Sequence, residues 1–445
     1  MEYHVKKIAV IGTGYVGLVS GTGLADFGNK VTCLDIDEEK IEILQSGELP
    51  IWEPGLLELV QKNVRSNRLH FSTDIPSEIQ EAEVVFIAVG TPSADNGEAD
   101  LSAVYAVAET IGQNLNGHKF IVTKSTVPVG TGRKVREIIE EQAPAGSSFE
   151  VISNPEFLRE GSAVYDFMHP DRVVIGTETE DGHEVMQDIY RPLYLIETPF
   201  VFTNVPTAEL IKYASNAFLA TKITFINEIA NICDGVGADV HMVAKTMGMD
   251  GRISPKFLHP GPGYGGSCFP KDVKALHAIA KEAGYDAELI EAVTRVNQNQ
   301  KTRMFTKLEK MLPDLDGKTV TLLGLAFKQR TDDVRESPAL PIIDHLKAAG
   351  ATIRAFDPVA MESMRKRHAD LDYYEDIYES VKGSDAVMIL TEWNEFRGLD
   401  LARIKSNMRQ PNMVDARNLY DPDTVRKAGF KYACVGRETY SEQLS

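Results

Sequence analysis

The chain has 445 residues, enough for two or three domains of ordinary size, with the 43% hydrophobic and 25% charged content of a globular protein. Its 34 glycines and 21 prolines form no biased tract, so collagen, fibre and long disorder are not expected. The 65 acidic against 47 basic residues give a net charge of −18, which repels polyphosphates and argues against nucleic acid as a partner.

The N-terminal residues pass directly into an apolar strand pattern, without the core of a secretory signal. We expect no membrane span or membrane partner, because Lys222 and Glu228 interrupt the longest apolar helical stretch. Cysteines occur at four scattered positions, Cys33, Cys233, Cys268 and Cys434. Since these give neither a disulfide framework nor a metal-ligand spacing, we predict a cytoplasmic protein with no metal.

Short β-branched runs alternate with amphipathic segments in the first half of the chain. The runs cover residues 8–11, 31–34, 84–89, 120–123 and 151–152. This alternation predicts a parallel sheet wrapped by helices.

Three segments of the second half resemble segments of the first. Residues 319–325 resemble 8–14, 350–357 resemble 28–35, and 384–391 resemble 82–91. We therefore predict two similar α/β domains, although any buried strand followed by a turn can produce short matches of this kind.

Helix formers dominate from about residue 206 to 310, and residues 207–235 predict one long helix that ends at Gly235 and Gly237. The predicted fold class is α/β, with two Rossmann-like doubly wound parallel-sheet domains joined by this helix. The predicted domains are 1–205, 206–310 and 311–445. Because the helix is apolar on more than one face, it suits burial by both domains or by a second subunit, and we predict a homodimer through it.

A glycine-rich turn, Gly12-Thr-Gly14-Tyr-Val-Gly17, follows the first strand and opens a helix, and Asp35 ends the next strand. In a dinucleotide site Gly12 permits the turn, Gly14 lets the backbone approach a pyrophosphate, and Gly17 allows close helix packing. Asp35 would bind a ribose 2′-hydroxyl and repel a 2′-phosphate, which favours NAD over NADP. FAD and a ligand-free turn are the alternatives.

Two further loops, 89–92 and 124–128, follow apolar strands. In an open α/β sheet these strand ends border the ligand crevice, although either loop could be a simple turn rich in small residues.

The segment around Cys268 is the most informative in the chain. Glycines and prolines keep residues 261–267 out of a helix, and Pro270 opens a helix that stops at Gly284. Cys268 therefore lies at a helix N-terminus, where backbone N–H groups and Lys271 favour the thiolate. We predict a nucleophilic thiol there and buried, inert thiols at the other three cysteines.

Polar pairs with helical spacing are weaker signals. Lys212 and Asn216 lie four apart on the long helix, as do Glu156 and Glu160 after a strand, and Asp272 lies four beyond Cys268. Such residues can do acid–base work, but from spacing alone a solvated polar surface is the simpler explanation.

Taken in order, these motifs together with 324–328 and 335–338 resemble the UDP-glucose 6-dehydrogenases of the UDP-glucose/GDP-mannose dehydrogenase family. The resemblance spans almost the whole chain, and its cysteine motif, 263–272, is highly specific. It implies that UDP-glucose is oxidised at C6 to a carboxylate with two NAD, through a thiohemiacetal and then a thioester on Cys268.

The resemblance also implies residue roles. Catalytic roles fall to Cys268, to Lys212 and Asn216 at the C6 oxygen, to Asp272 and Thr126 with water, and to Glu156 in proton transfer. Cofactor contacts fall to Gly12, Gly14, Val16, Gly17, Asp35, Lys40, Thr91, Thr126, Glu160, Lys271 and Arg335. Substrate contacts fall to Glu156, Phe157, Leu158, Arg159, Glu160, Lys212, Asn216, Arg252 from a partner subunit, Phe257, Leu258, His259, Pro260, Gly261, Tyr264, Gly265, Lys328 and Arg417.

Four rival functions remain open. GDP-mannose 6-dehydrogenases share the chemistry, but Glu160-Gly161 and residues 166–172 look more like the UDP-glucose branch. The others are a UDP-N-acetylhexosamine dehydrogenase, a two-electron hydroxyacid dehydrogenase and a non-catalytic nucleotide-sugar sensor. Intact Cys268 and Lys212 argue against the sensor.

Overall fold

The structure is a computed structural model that describes residues 5–94 and 97–437. The chain divides into two compact units, residues 1–215 and 216–445. The division into three domains at 205 and 310 remains a prediction, and its outermost residues, 1–4 and 438–445, lie outside the described part.

An eight-stranded sheet forms the centre of the first unit, with strand order β3-β2-β1-β4-β5-β6-β7-β8. Its strands are β1 (Lys7–Ile11), β2 (Lys30–Leu34), β3 (Leu69–Ser72), β4 (Val84–Ile87), β5 (His118–Thr123), β6 (Ser148–Ser153), β7 (Val173–Gly176) and β8 (Phe200–Thr203). Neighbours pair in parallel except β6 and β7, which are antiparallel. The predicted parallel sheet is thus confirmed, with one reversed pair.

Helices cover the first sheet. They are α1 (Tyr15–Asp26), α2 (Glu38–Gln45), α3 (Leu56–Arg65), α4 (Ile75–Glu81), α5 (Ser102–Gln113), α6 (Thr131–Gln142), α7 (Ala163–Met168) and α8 (Glu180–Ile189), followed by a 3₁₀ helix, Arg191–Ile196. Ile8 and Val10 of β1 enter one hydrophobic cluster, whereas Ala9 and Ile11 enter another. The strand is therefore buried on both faces, as a doubly wound sheet requires.

The strand register brings the candidate loops to one edge of this sheet. Ile11 pairs with both Leu34 and Ile87, Ile87 pairs with Thr123, and Thr123 pairs with Ser153. Because the chain leaves each of these parallel strands at the same edge, the segments beginning at residues 12, 35, 88, 124 and 154 lie side by side.

The long helix α9 (Val205–Val236) begins in the first unit and continues into the second, in agreement with the predicted span 207–235. It is followed by α10 (Val240–Gly248), α11 (Phe269–Glu282) and α12 (Glu288–Met311). Residues 206–310, all of them described, contain no strand, as predicted.

The second unit contains a six-stranded, wholly parallel sheet of order β11-β10-β9-β12-β13-β14. Its strands are β9 (Thr319–Leu323), β10 (Thr352–Phe356), β11 (Asp372–Tyr373), β12 (Ala386–Ile389), β13 (Asn412–Asp415) and β14 (Lys431–Cys434). Its helices are α13 (Ala339–Ala348), α14 (Met361–Arg365), α15 (Ile377–Ser380), α16 (Asn394–Arg397), α17 (Leu401–Asn407) and α18 (Pro422–Lys427).

The two sheets share one strand order over six strands, which confirms the predicted pair of similar domains. The likeness extends to single hydrogen bonds. Gly12 N–H donates to Leu34 O over 2.7 Å, and Gly324 N–H donates to Phe356 O over 2.8 Å. In the described ranges, none of the helices has the length and apolar character needed to cross a bilayer.

Candidate functional site

The glycine turn between β1 and α1 has the shape of a pyrophosphate site. Gly12 has a φ of +105°, which favours glycine, and a Cβ on Gly17 would lie 1.9 Å from Gly12 O. Gly14 is exposed, and a Cβ there would meet no protein atom within 4 Å. Half-buried Val16 belongs to the first turn of α1. The open space at the helix N-terminus therefore fits the phosphates of a dinucleotide.

Asp35 is oriented towards the glycine turn by Thr13. Its Oδ2 accepts bonds from the Thr13 N–H at 2.8 Å and the Thr13 hydroxyl at 2.7 Å, and its Oδ1 accepts from Asp37 N–H at 3.1 Å. Burial opposes ionisation, but these bonds and the Lys40 charge lower the pKa of Asp35 below its ordinary value. The carboxylate is therefore ionised and suits a ribose 2′-hydroxyl. No sequence motif marks Thr13 for this role.

The loops after β4 and β5 contact each other, as their predicted position at one crevice requires. The Thr91 hydroxyl donates to Thr126 O over 2.9 Å, and the Ser125 hydroxyl donates to Val89 O over 2.7 Å. Thr91 is buried and Thr126 half-buried. These bonds connect two of the loops expected to hold cofactor and water.

Lys212 and Glu156 form a buried ion pair in the first unit. Lys212 Nζ lies 2.8 Å from Glu156 Oε1, with each side chain 4% exposed, and Leu158 N–H donates to Glu156 Oε2 over 2.5 Å. Burial by itself raises the pKa of Glu156, but the charge and hydrogen bond of Lys212 bring it below the ordinary value. The simpler explanation from spacing, a solvated polar surface, is wrong for both residues.

The segment after Glu156 combines buried and exposed groups. Arg172 stacks on the Phe157 ring with its guanidinium carbon 3.6 Å from the ring centroid, and Lys212 Nζ lies 5.4 Å from that centroid. Arg159 is exposed and its Nη2 pairs with Asp166 Oδ1 at 2.5 Å. Leu158 and Glu160 are both half-buried. The stacked guanidinium of Arg172 thus holds Phe157 beside the ion pair.

Glu53 ties this segment to the glycine turn. Its Oε2 accepts from Gly161 N–H at 2.6 Å and its Oε1 accepts from Ala163 N–H at 2.8 Å. The Tyr15 hydroxyl, from the first turn of α1, donates to the same carboxylate. No motif in the sequence marks Glu53, because its partners lie 38 to 110 residues away along the chain.

Cys268 lies at the N-terminus of α11, where the sequence predicts it, with Pro270 in the first turn. It is half-buried, and its Sγ lies 3.6 Å from Ser267 Oγ. The other three cysteines are buried free thiols, as predicted. Burial raises the pKa of Cys33 and of Cys434 to about 12 in each case, so those two thiols are protonated at neutral pH.

Asp272, one helical turn beyond Cys268, is only 1% exposed. It accepts hydrogen bonds from Asn216 Nδ2 at 2.6 Å and from Lys271 Nζ at 2.7 Å. Asn216 is buried as well. The solvated-surface explanation is therefore wrong here too, and Asn216, Asp272 and Lys271 form one polar cluster at the start of α11.

Three buried amides hold the cysteine loop in place. Asn297 exchanges two bonds with the Tyr264 backbone, accepting from N–H at 2.8 Å and donating to C=O at 3.1 Å. Asn227 accepts from Gly261 N–H at 2.8 Å, and Gln300 donates to Gly261 O at 2.8 Å. Amides at otherwise apolar, core-facing positions of α9 and α12 are the sequence signal that would have found them.

Close backbone contacts explain the paired glycines before Cys268. A Cβ on Gly265 would lie 2.3 Å from Glu336 O, and one on Gly266 would lie 2.7 Å from the Phe327 ring. Gly266 N–H also donates to Arg335 O over 2.8 Å. The cysteine loop thus lies directly against residues 327–336 of the second unit.

Two of the predicted substrate residues, Arg417 and Lys328, each lie beside Phe327 in the loop after β9. Arg417 Nη2 donates to Phe327 O over 2.6 Å, and its Nε lies 3.0 Å from Glu392 Oε2. A Cβ on Gly261 would lie 3.5 Å from Arg417 Nη1. The ammonium of Lys328 lies 5.4 Å from the Phe327 ring centroid. Both cations therefore lie beside Phe327, and the Glu392 carboxylate balances the charge of Arg417.

The remaining predicted residues of this unit are more dispersed. Arg335 and Arg252 are exposed and pair with near neighbours, Asp333 at 2.8 Å and Asp250 at 2.5 Å. Phe257 has a φ of +65°. Among the predicted contacts within residues 258–265, His259 is exposed and the other five are buried, namely Leu258, Pro260, Gly261, Tyr264 and Gly265.

Comparison with known proteins matches three family models along the chain. The NAD binding domain of the UDP-glucose/GDP-mannose dehydrogenase family matches residues 6–194, the central domain 206–299 and the UDP binding domain 321–422.

Individual relatives match over nearly the full length. A UDP-glucose 6-dehydrogenase of Rhizobium meliloti (strain 1021) is 54% identical over 97% of this chain and 99% of its own. UDP-glucose 6-dehydrogenase TuaD of Bacillus subtilis (strain 168) is 51% identical over 97% and 94%. The solved structure of a UDP-glucose dehydrogenase from Pyrobaculum islandicum has a TM-score of 0.92 at 38% identity, covering 98% of this chain and 99% of that one.

Proposed function

The chain belongs to the UDP-glucose/GDP-mannose dehydrogenase family, and we propose that it is an NAD-dependent UDP-glucose 6-dehydrogenase that forms UDP-glucuronate. The observation that carries the chemistry is the half-buried thiol of Cys268 at the N-terminus of α11. Relatives with 54% and 51% identity that bear this name support the choice of substrate.

The first unit is the NAD-binding domain of the family. Its glycine turn and the ionised Asp35 fit the pyrophosphate and a ribose 2′-hydroxyl. NAD supplies the hydride acceptor for each of the two oxidations. The remaining proposed cofactor contacts are Val16, Lys40, Thr91, Thr126, Glu160, Lys271 and Arg335.

Cys268 divides a four-electron oxidation into manageable steps. The C6 alcohol loses a hydride and a proton to become an aldehyde, and the thiol adds to its carbonyl carbon while the oxygen gains a proton. Loss of a second hydride and proton turns this thiohemiacetal into a thioester. Water then cleaves the carbon–sulfur bond, which releases the carboxylate and restores the thiol. Covalent capture keeps the reactive aldehyde from escaping.

The buried polar groups have complementary roles in the proposal. The Lys212 ammonium and the Asn216 amide stabilise charge that develops on the C6 oxygen. Glu156, which holds Lys212 by a 2.8 Å bond, takes up a proton during hydrolysis. Asp272 and Thr126 position the water. The proposed substrate contacts are Phe157, Leu158, Arg159, Glu160, residues 257–261, Tyr264, Gly265, Lys328, Arg417 and, from a partner subunit, Arg252.

A homodimer through α9 is part of the proposal. Phe218, Phe225 and Ile232 recur at intervals of seven residues and are 65%, 45% and 57% exposed. Large apolar side chains at this spacing form one stripe along a helix, which suits packing against a second copy. We also propose a cytoplasmic location, and the four free thiols support it.

The deciding experiment measures NADH absorbance with limiting nucleotide sugar. We expect two NADH for each UDP-glucose, with UDP-glucuronate as the product. If GDP-mannose or a UDP-N-acetylhexosamine is turned over faster, that sugar replaces UDP-glucose as the assigned substrate. One NADH per substrate would indicate a two-electron dehydrogenase, and tight UDP-glucose binding without NADH would indicate a sensor.

A further inference from the structure

Lys124, the first residue after β5, is a buried lysine that has no role in the steps of the proposed dehydrogenase reaction. It is 5% exposed, and its Nζ donates to Asn154 Oδ1 at 3.1 Å and to the Tyr190 hydroxyl at 3.2 Å. Both acceptors are neutral oxygens, which replace the hydration of a buried ammonium only in part. A cation kept in such surroundings calls for a functional explanation.

Asn154 links Lys124 to the segment that contains Glu156. The same Asn154 Oδ1 accepts from the Tyr190 hydroxyl at 2.7 Å, and Asn154 Nδ2 donates to Val174 O at 2.8 Å. Asn154 N–H donates to Thr123 O at 2.9 Å. Asn154 is thus held from three directions, and it lies two residues before Glu156.

Lys124 also adds a charge beside the buried ion pair. The charged groups that face it are the Glu156 carboxylate and the Lys212 ammonium, and Tyr190 contributes its hydroxyl and ring. Burial together with Lys212 lowers the pKa of Lys124 to about 8, against the attraction of Glu156. Lys212, the Leu158 N–H and Lys124 together lower the pKa of Glu156 despite its burial.

A second buried lysine, five residues earlier and within β5, has a purely structural environment. Lys119, within β5, is 3% exposed and donates to Ala82 O at 2.6 Å and Gln80 O at 3.0 Å. These carbonyls lie at the C-terminus of α4, where a cation satisfies unpaired acceptors. The charges that face Lys119 are Glu81 and Glu83, neither of which belongs to the proposed machinery.

We infer that Lys124 is a positioning residue of the dehydrogenase reaction, which fixes the Glu156 segment through Asn154 and supplies a second positive charge that keeps the Glu156 carboxylate ionised. The inference rests on the proposed function, in which Glu156 accepts a proton during thioester hydrolysis. Without Lys124 the carboxylate would be protonated at a higher pH and its segment would be less rigidly held.

The test compares Lys124→Met and Lys124→Arg with the matched control Lys119→Met. For Lys124→Met we expect kcat with UDP-glucose to fall about tenfold or more, which is part of the roughly 10²–10⁴-fold that an acid–base group contributes, with KM changed by less than about threefold. The acidic limb of the kcat–pH profile should move to higher pH, and the acyl-enzyme should accumulate in intact-mass spectra of quenched reactions. Lys124→Arg should restore the position of the acidic limb.

Lys119→Met should reduce thermal stability without moving the pH profile. Wild-type pH dependence in a folded, NAD-binding Lys124→Met enzyme would overturn the inference, as would an equal shift in Lys119→Met. If Lys124→Met does not fold, an unmoved profile in Asn154→Asp, which places a carboxylate against the Lys124 ammonium, would overturn it as well. Failure of the wild-type protein to form two NADH would instead contradict the proposed function, so the two failures are distinguishable.

Discussion

Asp35 and Asp357 occupy the same position after the second strand of their respective sheets, yet they have different surroundings. Asp35 Oδ2 accepts from the Thr13 N–H and hydroxyl, and the side chain remains partly accessible. Asp357 Oδ2 accepts from Leu325 N–H at 2.7 Å, Ala326 N–H at 3.1 Å and Trp393 Nε1 at 3.1 Å, and the residue is 0% exposed. In the second unit this carboxylate therefore stabilises the turn that follows β9, where Leu325 and Ala326 lie.

Asp35→Ser should change the cofactor preference. Removing the carboxylate loses a ribose acceptor and the repulsion of a 2′-phosphate, so we expect KM for NAD to rise roughly tenfold and NADP to become usable. Initial rates with both cofactors provide the measurement. Asp357→Asn is the matched control and should lower the melting temperature with the NAD-to-NADP ratio unchanged; an unchanged ratio in Asp35→Ser would contradict the assignment.

Cys268→Ser should leave NAD and UDP-glucose binding nearly intact and abolish steady-state formation of UDP-glucuronate. A serine hydroxyl is not ionised at neutral pH and captures the aldehyde poorly. Calorimetric affinities and product analysis by mass spectrometry provide the measurement. Cys233→Ala, which alters a thiol buried at 3% exposure, should retain turnover. Unchanged acid production by Cys268→Ser would refute the covalent mechanism.

Glu209 should make part of the folding stability depend on pH. Its carboxylate accepts from Gly130 N–H at 2.8 Å and Gly132 N–H at 2.7 Å at the start of α6, and burial raises its pKa from 4.5 to about 7 despite these bonds. The folded state therefore binds a proton more tightly than the unfolded state. This contribution, up to roughly 3 kcal/mol, is complete below pH 4.5 and is lost as the pH rises through about 7.

Glu209→Gln removes the pH-dependent contribution of Glu209 to the free energy of unfolding, because the glutamine amide does not titrate. The variant loses one acceptor but should gain stability relative to wild type between pH 5 and pH 8, as measured by denaturant unfolding at several pH values. A constant difference between the two proteins across this range would show that Glu209 does not titrate there.

The combined change Phe218→Asp and Phe225→Asp should convert the proposed dimer into a monomer. The substitution places two charges within the apolar stripe of α9, where burial against a second copy would desolvate them. Light scattering after size exclusion measures the mass. Leu195→Asp, at a residue 88% exposed in the 3₁₀ helix, should leave the mass unchanged. A monomeric wild type at micromolar concentration would remove the dimer from the proposal.

Asn297→Leu should loosen the loop that carries Cys268. Loss of the Asn297 amide leaves the Tyr264 N–H and C=O without their partners, which lowers the free energy of unfolding by about 1–3 kcal/mol for each buried group. We expect kcat to fall and the rate of Cys268 alkylation to change, with stopped-flow NADH formation and a thiol reagent as the measurements. Asn299→Leu, on the exposed side of α12, is the control, and equal behaviour of the two variants would show that Asn297 does not hold the cysteine loop in place.

Most of the fold is readable from local patterns. The glycine turn, the strand after it, the span of α9 and the start of α11 at Cys268 depend on backbone preferences and periodicity over a few residues. The short matches between the two halves of the chain likewise predicted a repeated sheet. The antiparallel pairing of β7 was not predicted, because strand direction depends on how the chain returns to the sheet.

The burial of the polar side chains could not be read from the same patterns. Spacing placed Lys212 and Asn216 on one helix, but each partner lies 56 residues away, Glu156 in one case and Asp272 in the other. Glu53 gave no local signal, and the prediction for loop 124–128 did not include the burial of Lys124. The sequence by itself determined the turns, caps and periodic elements, since these depend on neighbours in the chain. Only the tertiary structure decided which charges are paired and withdrawn from water, because burial and pairing depend on groups brought together from distant strands and helices.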